Sequence, residues 1–282
     1  MRGKGAWSRR LVAAVLLSAP CVAAAQAHRL VDIGPYPLDV VRAGTGSPAV
    51  ILEAGLGDSL SDWTTVWPAV AKLTTVVAYS RISAGRTGGP PDYSAKRAVT
   101  DLHALLASLQ IAPPYVLVGR SYGGLLVRLY TSVYPAEVAG LVIVDGTHEQ
   151  QVQRWGALDS TYPAAFRSFF DSLLGTMPPG AQSGEVRETM RIQAAGAVEG
   201  MRPLPDIPIV VLTSMKVDSG AKTINMTARG HDAWRAMHDE WFRRSRNGMH
   251  IETTRSGHAI QEDEPQLVIE AIQFVLNRVG KR

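Results

Sequence analysis

Cysteine is almost missing from this sequence of 282 residues: the one copy is Cys21. Beyond residue 27 there is no thiol and no disulfide, so thiolate catalysis and cysteine-bound metal sites are excluded there. Stability must come from an apolar core, which a hydrophobic content of 46% permits. The N-terminal apolar stretch, Leu11 to Ala19, falls well short of the roughly 18 residues that a membrane-spanning helix needs. No segment repeats at a fixed period, which excludes solenoids and propellers.

A charge excess is missing as well, once the chain is divided. The formal net charge of +4 comes from Arg2, Lys4, Arg9 and Arg10, and the remainder carries 25 basic and 25 acidic residues. No electrostatic case for nucleic acid or an anionic membrane survives. The basic run Arg243-Arg244-Ser245-Arg246 reads as a solvated helix end. Residues 1–27 read as a secretory signal: positive charges, a short apolar stretch, then Ala25-Gln26-Ala27 as a cleavage site. The expectation is export, to the periplasm or the medium. Pro20 breaks the Leu-Ala-Gly-Cys pattern of a lipidation site at Cys21, so no stable membrane anchor is expected.

What is present, from His28 onward, is an alternation of strand-like and helix-like stretches, the pattern of an α/β sheet. Two short strands, "RLVDIG" and "LDVVRAG", flank a Gly-Pro turn and predict an antiparallel start. "PAVILEAG", "TTVVAYS", "YVLVG", "GLVIVDG" and "IPIVVLTS" are almost wholly apolar, as strands buried on both faces must be. Between them "DWTTVWPAVAKL", "SAKRAVTDLHALLASLQI" and "GGLLVRLYTSVYP" predict helices. From about 148 to 206 the apolar strands stop, and aromatic helical segments predict an inserted cap. Its stripe Phe166-Phe170-Leu173-Leu174 reads first as the cap's own core, and alternatively as a wall over a pocket. "MHIETTRS" and "PQLVIEAIQFVLNRV" close the domain as strand and helix.

The chemistry concentrates at "VLVGRSYGGLLV", residues 117–128. A Ser between two Gly residues, at the junction of a buried strand and a helix, has its hydroxyl presented above the sheet. It also lies near the helix N-terminus, where free N–H groups stabilise developing negative charge. Ser121 is the candidate nucleophile.

These residues resemble the α/β-hydrolase superfamily, in its serine-hydrolase, esterase-like branch with a cap between core strands 6 and 7. The resemblance spans residues 30–280 and implies an α/β-hydrolase fold, a mostly parallel sheet flanked by helices. A serine hydroxyl needs a base, and of seven histidines His258 follows the last strand, where the family places it. His103, His231 and His238 read as solvated or packed helix residues, and His148 as pocket lining. For the acid, the resemblance leaves two carboxylates. Asp145 closes the sixth strand and is preferred; Asp218, after the seventh, is the alternative acid, although the usual Gly-x-x-Asp turn is missing before it. The oxyanion donors would be the backbone N–H groups of Tyr122 and Leu56. Leu56 stands in "LEAGLGDSLSDW", similar to the family's His-Gly-x-Gly loop with Ala54 in the His position. The family's "YDRxGxGxS" appears as "YSRISAGRT". Arg120, where the family has His, is expected to pair with Glu53 on the neighbouring strand.

The resemblance implies an esterase that forms an acyl-enzyme on Ser121, without cofactor or metal, on a small hydrophobic ester. Amide, peptide, thioester and lactone hydrolysis fit the same triad, as does a lyase reaction. A catalytically idle binding scaffold and a membrane-surface lipase are the readings from other classes. An epoxide hydrolase or haloalkane dehalogenase would carry Asp at the elbow instead of Ser121.

Overall fold

The computed structural model describes residues 28–84, 90, 92–218, 220–243 and 245–279. The leader read in residues 1–27, with Cys21, lies outside them, as do Gly85 to Thr87 of "YSRISAGRT" and Arg244 of the basic run.

Among the described residues, eight strands form one sheet. In chain order they are β1 (Arg29–Asp32), β2 (Pro37–Ala43), β3 (Ala49–Glu53), β4 (Val76–Ser80), β5 (Tyr115–Arg120), β6 (Val138–Val144), β7 (Ile209–Ser214) and β8 (Gly248–Thr253). Their spatial order is β1-β2-β4-β3-β5-β6-β7-β8. The pairs β1–β2 and β2–β4 are antiparallel, and every later pair is parallel. All residues of β3, β4, β6 and β7 are buried, which explains why these stretches are apolar at consecutive positions.

Because side chains alternate across a strand, the core divides into two layers. Ile51, Val77, Leu117, Leu141 and Val211 face one side. There they meet helices α2 (Ala95–Ser108), α3 (Tyr122–Val133) and α7 (Ala228–Phe242). Val50, Leu52, Val116, Val118, Val142 and Leu212 face the other, against α1 (Trp67–Val70) and α9 (Pro265–Val279). The helix predicted from Asp62 to Leu73 is instead a 3-10 turn, Leu60–Trp63, followed by the single turn α1. Pro68 has no N–H for the Thr64 carbonyl and its ring crowds that carbonyl, which favours a break before it. Pro68 lies in the first turn of α1, where the missing N–H costs nothing.

Between β6 and β7 the chain leaves the sheet and forms α4 (Gln151–Leu158), α5 (Tyr162–Thr176) and α6 (Ala181–Ala195). The insert is not a second globule around the Phe166 stripe. Of α5 only Tyr162 is buried; Phe166, Phe170, Leu173 and Leu174 are half-buried, and Phe169 is 63% exposed. The insert's apolar contacts run to the sheet domain: Val152, Trp155 and Tyr162 pack with Trp234 and Met237 of α7. The last short helix, α8 (Ile260–Asp263), precedes α9.

Candidate active site

Ser121 sits where β5 becomes α3, with φ 52° and ψ −121°. A non-glycine residue in that region carries roughly 1–3 kcal/mol of strain, so its surroundings must hold it. They do so through close approach: a Cβ on Gly119 would lie 2.3 Å from the Gly123 carbonyl oxygen, and one on Gly123 would lie 2.3 Å from that of Glu53. Strand and helix cross closer than any side chain permits. The turn thereby carries Ser121 to the wall of a cavity of about 660 Å³.

His258 lies in the loop between β8 and α8. Its Nε2 is 2.9 Å from Ser121 Oγ and its Nδ1 is 2.6 Å from Asp145 Oδ2. The carboxylate can only accept, so Nδ1 carries the proton and Nε2 offers its lone pair to the hydroxyl. Asp145, with φ 43°, follows β6 and is 3% exposed. Its Oδ1 accepts from the Ser214 N–H at 3.0 Å and from Trp234 Nε1–H at 2.8 Å. Burial pushes its pKa up, but the His258 hydrogen bond and the other donors outweigh burial and leave it below the ordinary aspartate value. A buried, ionised, fully bonded carboxylate thus orients an imidazole whose far nitrogen faces a hydroxyl.

The structure does not bring Asp218 to His258. Asp218 is exposed at the cavity wall, where its carboxylate accepts the Gly220 N–H at 2.8 Å. Asp145, the residue directly after β6, holds the position instead, with Oδ2 2.6 Å from His258 Nδ1 and Oδ1 bonded to the N–H of Ser214 at the end of β7.

The expected Arg120–Glu53 pair does not form. In the β3–β5 register Glu53 stands opposite Gly119, so Arg120, one residue on, projects from the other face. Its guanidinium bonds Asp58 and lies 3.5 Å from Asp62. Glu53 is taken by Arg81 at 2.6 Å and by the Tyr79 hydroxyl. His148 does not line the Ser121 cavity either. It is buried beside a second cavity, stacked on Trp241, and burial lowers its pKa to about 4.

The Leu56 loop is a turn closed by Asp58 N–H to Gly55 O at 3.3 Å, with φ +73° at Gly57. A positive φ at the third turn position is what a type II turn demands. Among the described residues, the Leu56 and Tyr122 N–H groups donate to no protein acceptor. Tyr122 is the first residue of α3, where the N–H has no partner within the helix.

Sequence reasoning missed much of the cavity wall: Gln151, Trp155, Tyr162, Ser214, His231 and Trp234. His231 and Trp234 show only the helical period of α7, which does not say that one turn of it faces Ser121. Among the described residues no three His, Asp or Glu side chains converge in a way that could hold a metal ion.

A family model described as the alpha/beta hydrolase fold matches residues 48–236. The chain belongs to the alpha/beta hydrolase family. A Bacillus subtilis (strain 168) relative, YqjL, is 23% identical over 235 residues, 83% of this chain and 85% of its own. Among solved structures, a bromoperoxidase from Bacillus anthracis superposes with a TM-score of 0.66 at 19% identity, covering 89% of this chain and all of that one. A thermophilic esterase from Thermogutta terrifontis gives 0.60 at 14% identity over 90% of this chain and 99% of its own. At such identities the superpositions speak for the fold, and the family supports a hydrolase; neither names the bond cleaved.

Proposed function

We propose that the protein is an exported serine hydrolase that cleaves a compact carboxylic ester through an acyl-enzyme on Ser121. The observation that carries this reading is the unbroken chain from Ser121 Oγ through His258 to Asp145, at 2.9 Å and 2.6 Å. In the first half-reaction Ser121 Oγ attacks the ester carbonyl while its proton passes to His258 Nε2. Asp145 stabilises the imidazolium so formed. The carbonyl oxygen, now carrying the negative charge, is held by the N–H groups of Tyr122 and Leu56. The tetrahedral intermediate collapses, His258 gives its proton to the departing alkoxide, and the alcohol leaves. Water then repeats the sequence against the acyl-enzyme, with His258 as base, releasing the acid and restoring Ser121.

The cavity supports a compact substrate. Its volume of about 660 Å³ is walled by Trp155, Tyr162 and Trp234, and polar groups, Gln151, Asn225 and Lys216 among them, also line it. Of the aromatic residues of α5, Tyr162 is in this wall and Phe166, Phe169 and Phe170 are not.

The test uses residues 28–282, the Ser121→Ala variant, and p-nitrophenyl esters from acetate to palmitate. Expected are turnover by the parent that falls steeply beyond short acyl groups, and none above background in the variant. A folded protein that hydrolyses none of the series contradicts the reading. Export is tested by N-terminal sequencing of the protein recovered outside the cytoplasm, which should begin at His28; recovery only from the cytoplasm with residues 1–27 attached contradicts it.

A further inference from the structure

The mechanism above makes no use of a buried ionic cluster directly behind the Leu56 loop. At its centre is Arg81, 1% exposed, the residue after β4. Its Nε donates to Glu185 Oε1 at 2.6 Å and its Nη2 to Glu185 Oε2 at 3.2 Å. Its Nη1 donates to Glu53 Oε1 at 2.6 Å and to the Ala54 carbonyl at 2.7 Å, and Nη2 also donates to the Gly55 carbonyl. Glu185, on α6, is wholly buried, and its Oε2 further accepts the Gly57 N–H at 3.1 Å.

These contacts bear on one atom in particular. The Gly55 carbonyl and the Leu56 N–H belong to the same planar trans peptide and point in opposite directions. Holding that carbonyl on the Arg81 side turns the Leu56 N–H to the other side. The ring of Tyr122, whose backbone supplies the second donor, lies 5.6 Å from the guanidinium carbon. A lysine could not reproduce the arrangement, since one ammonium cannot span two carboxylates and two carbonyls at once.

We propose that Arg81 is the positioning residue of the oxyanion hole, and that Glu185 makes the hole's geometry depend on α6 being seated against the sheet domain. The proposal rests on the serine-hydrolase reading above. A structural arginine would only hold the fold; this one sets the angle of a donor that matters in the transition state.

The experiment compares the parent, Glu185→Gln and Arg81→Lys on p-nitrophenyl acetate, with rates expressed per active site titrated by a fluorophosphonate. The expected result is a fall in kcat of about 10- to 100-fold in Glu185→Gln, the scale of a donor misplaced by a fraction of an ångström to one ångström, with KM within threefold. Affinity for a trifluoromethyl ketone, whose hemiketal oxyanion occupies the hole, should fall by the same factor as kcat/KM. Arg81→Lys should be at least as impaired, and if it does not fold, Glu185→Gln alone decides. Unchanged kcat per titrated site in Glu185→Gln, or a fall in rate that follows only the folded fraction, overturns the proposal. Ser121→Ala run alongside separates the two failures: turnover retained there means that the serine-hydrolase reading has failed first, and the proposal with it.

Discussion

The turn from β5 into α3 and the helix α5 are built to opposite specifications. Eleven of the twelve residues of α3 are buried, and its first glycines pack backbone against backbone. In α5 one residue of fifteen is buried, and an aromatic ring, Phe169, stands in solvent. The proposed reacting groups Ser121, Asp145 and His258 all sit at strand ends or on the loops that leave them, whereas the insert contributes wall residues such as Trp155 and Tyr162. The strand ends are packed from every side, whereas the insert reaches the cavity through two buried rings, Trp155 and Tyr162, and leaves the rest of α5 at or near the surface. If this division is right, the same kind of substitution should have effects of different size and kind on the two sides.

The largest effect belongs to Ser121→Ala, which should reduce ester turnover by about 10⁶-fold while changing stability by no more than about 1 kcal/mol, since the bond alanine removes is the solvent-facing one between the hydroxyl and His258. Next comes Asp145→Asn, expected to cost about 10⁴-fold in kcat because the amide favours the wrong imidazole tautomer. Asp218→Asn on the same cavity should stay within a fewfold of the parent, and steady-state rates on a short-chain ester check both. On stability, Gly123→Ala should lose about 3 kcal/mol, read by urea denaturation, because its methyl would meet the Glu53 and Ala54 carbonyls at 2.3 Å and 2.6 Å.

A smaller effect is graded by pH. Burial holds His238 at about 3 and His148 at about 4, both below the ordinary 6.5. The unfolded chain therefore binds these protons more tightly than the folded one, so stability present above about pH 6.5 drains away as the pH falls toward 4. Each histidine contributes a slope of about 1.4 kcal/mol per pH unit. His238→Gln should flatten the acid limb by that amount, measured by urea titrations at intervals between pH 4.5 and 6.5. The smallest effect is on the other region: Phe169→Ser should change stability by no more than about 0.5 kcal/mol and leave short-ester turnover within twofold.

The contrast also explains how much could be read from the sequence. Strands buried on both faces announce themselves as apolar runs, so the parallel sheet and its antiparallel start were legible. The Gly-Arg-Ser-Tyr-Gly turn was legible because its constraint is local: the two glycines that permit the crossing lie within four residues. The choice between Asp145 and Asp218 was not closed, since it turns on which strand end lies beneath His258, and that is tertiary geometry. Arg120 was matched to the wrong partner because strand proximity was read without register, and one residue of register reverses the face. Arg81 went unnoticed as a hub because its partner Glu185 lies 104 positions away, in a helix whose sequence gives no hint of which side faces inward. The Phe166 stripe misled for the converse reason: helical periodicity marks an apolar face and does not say that anything covers it.

The most direct test of the central claim is to trap the intermediate. The parent protein and Ser121→Ala would be mixed with p-nitrophenyl acetate, quenched in acid within milliseconds to seconds, digested, and mapped by mass spectrometry. An acetyl group on the peptide containing Ser121, accumulating with the burst of p-nitrophenol and missing from the variant, is the predicted result. Turnover with no adduct on Ser121, or an adduct that forms equally in the variant, would contradict the account.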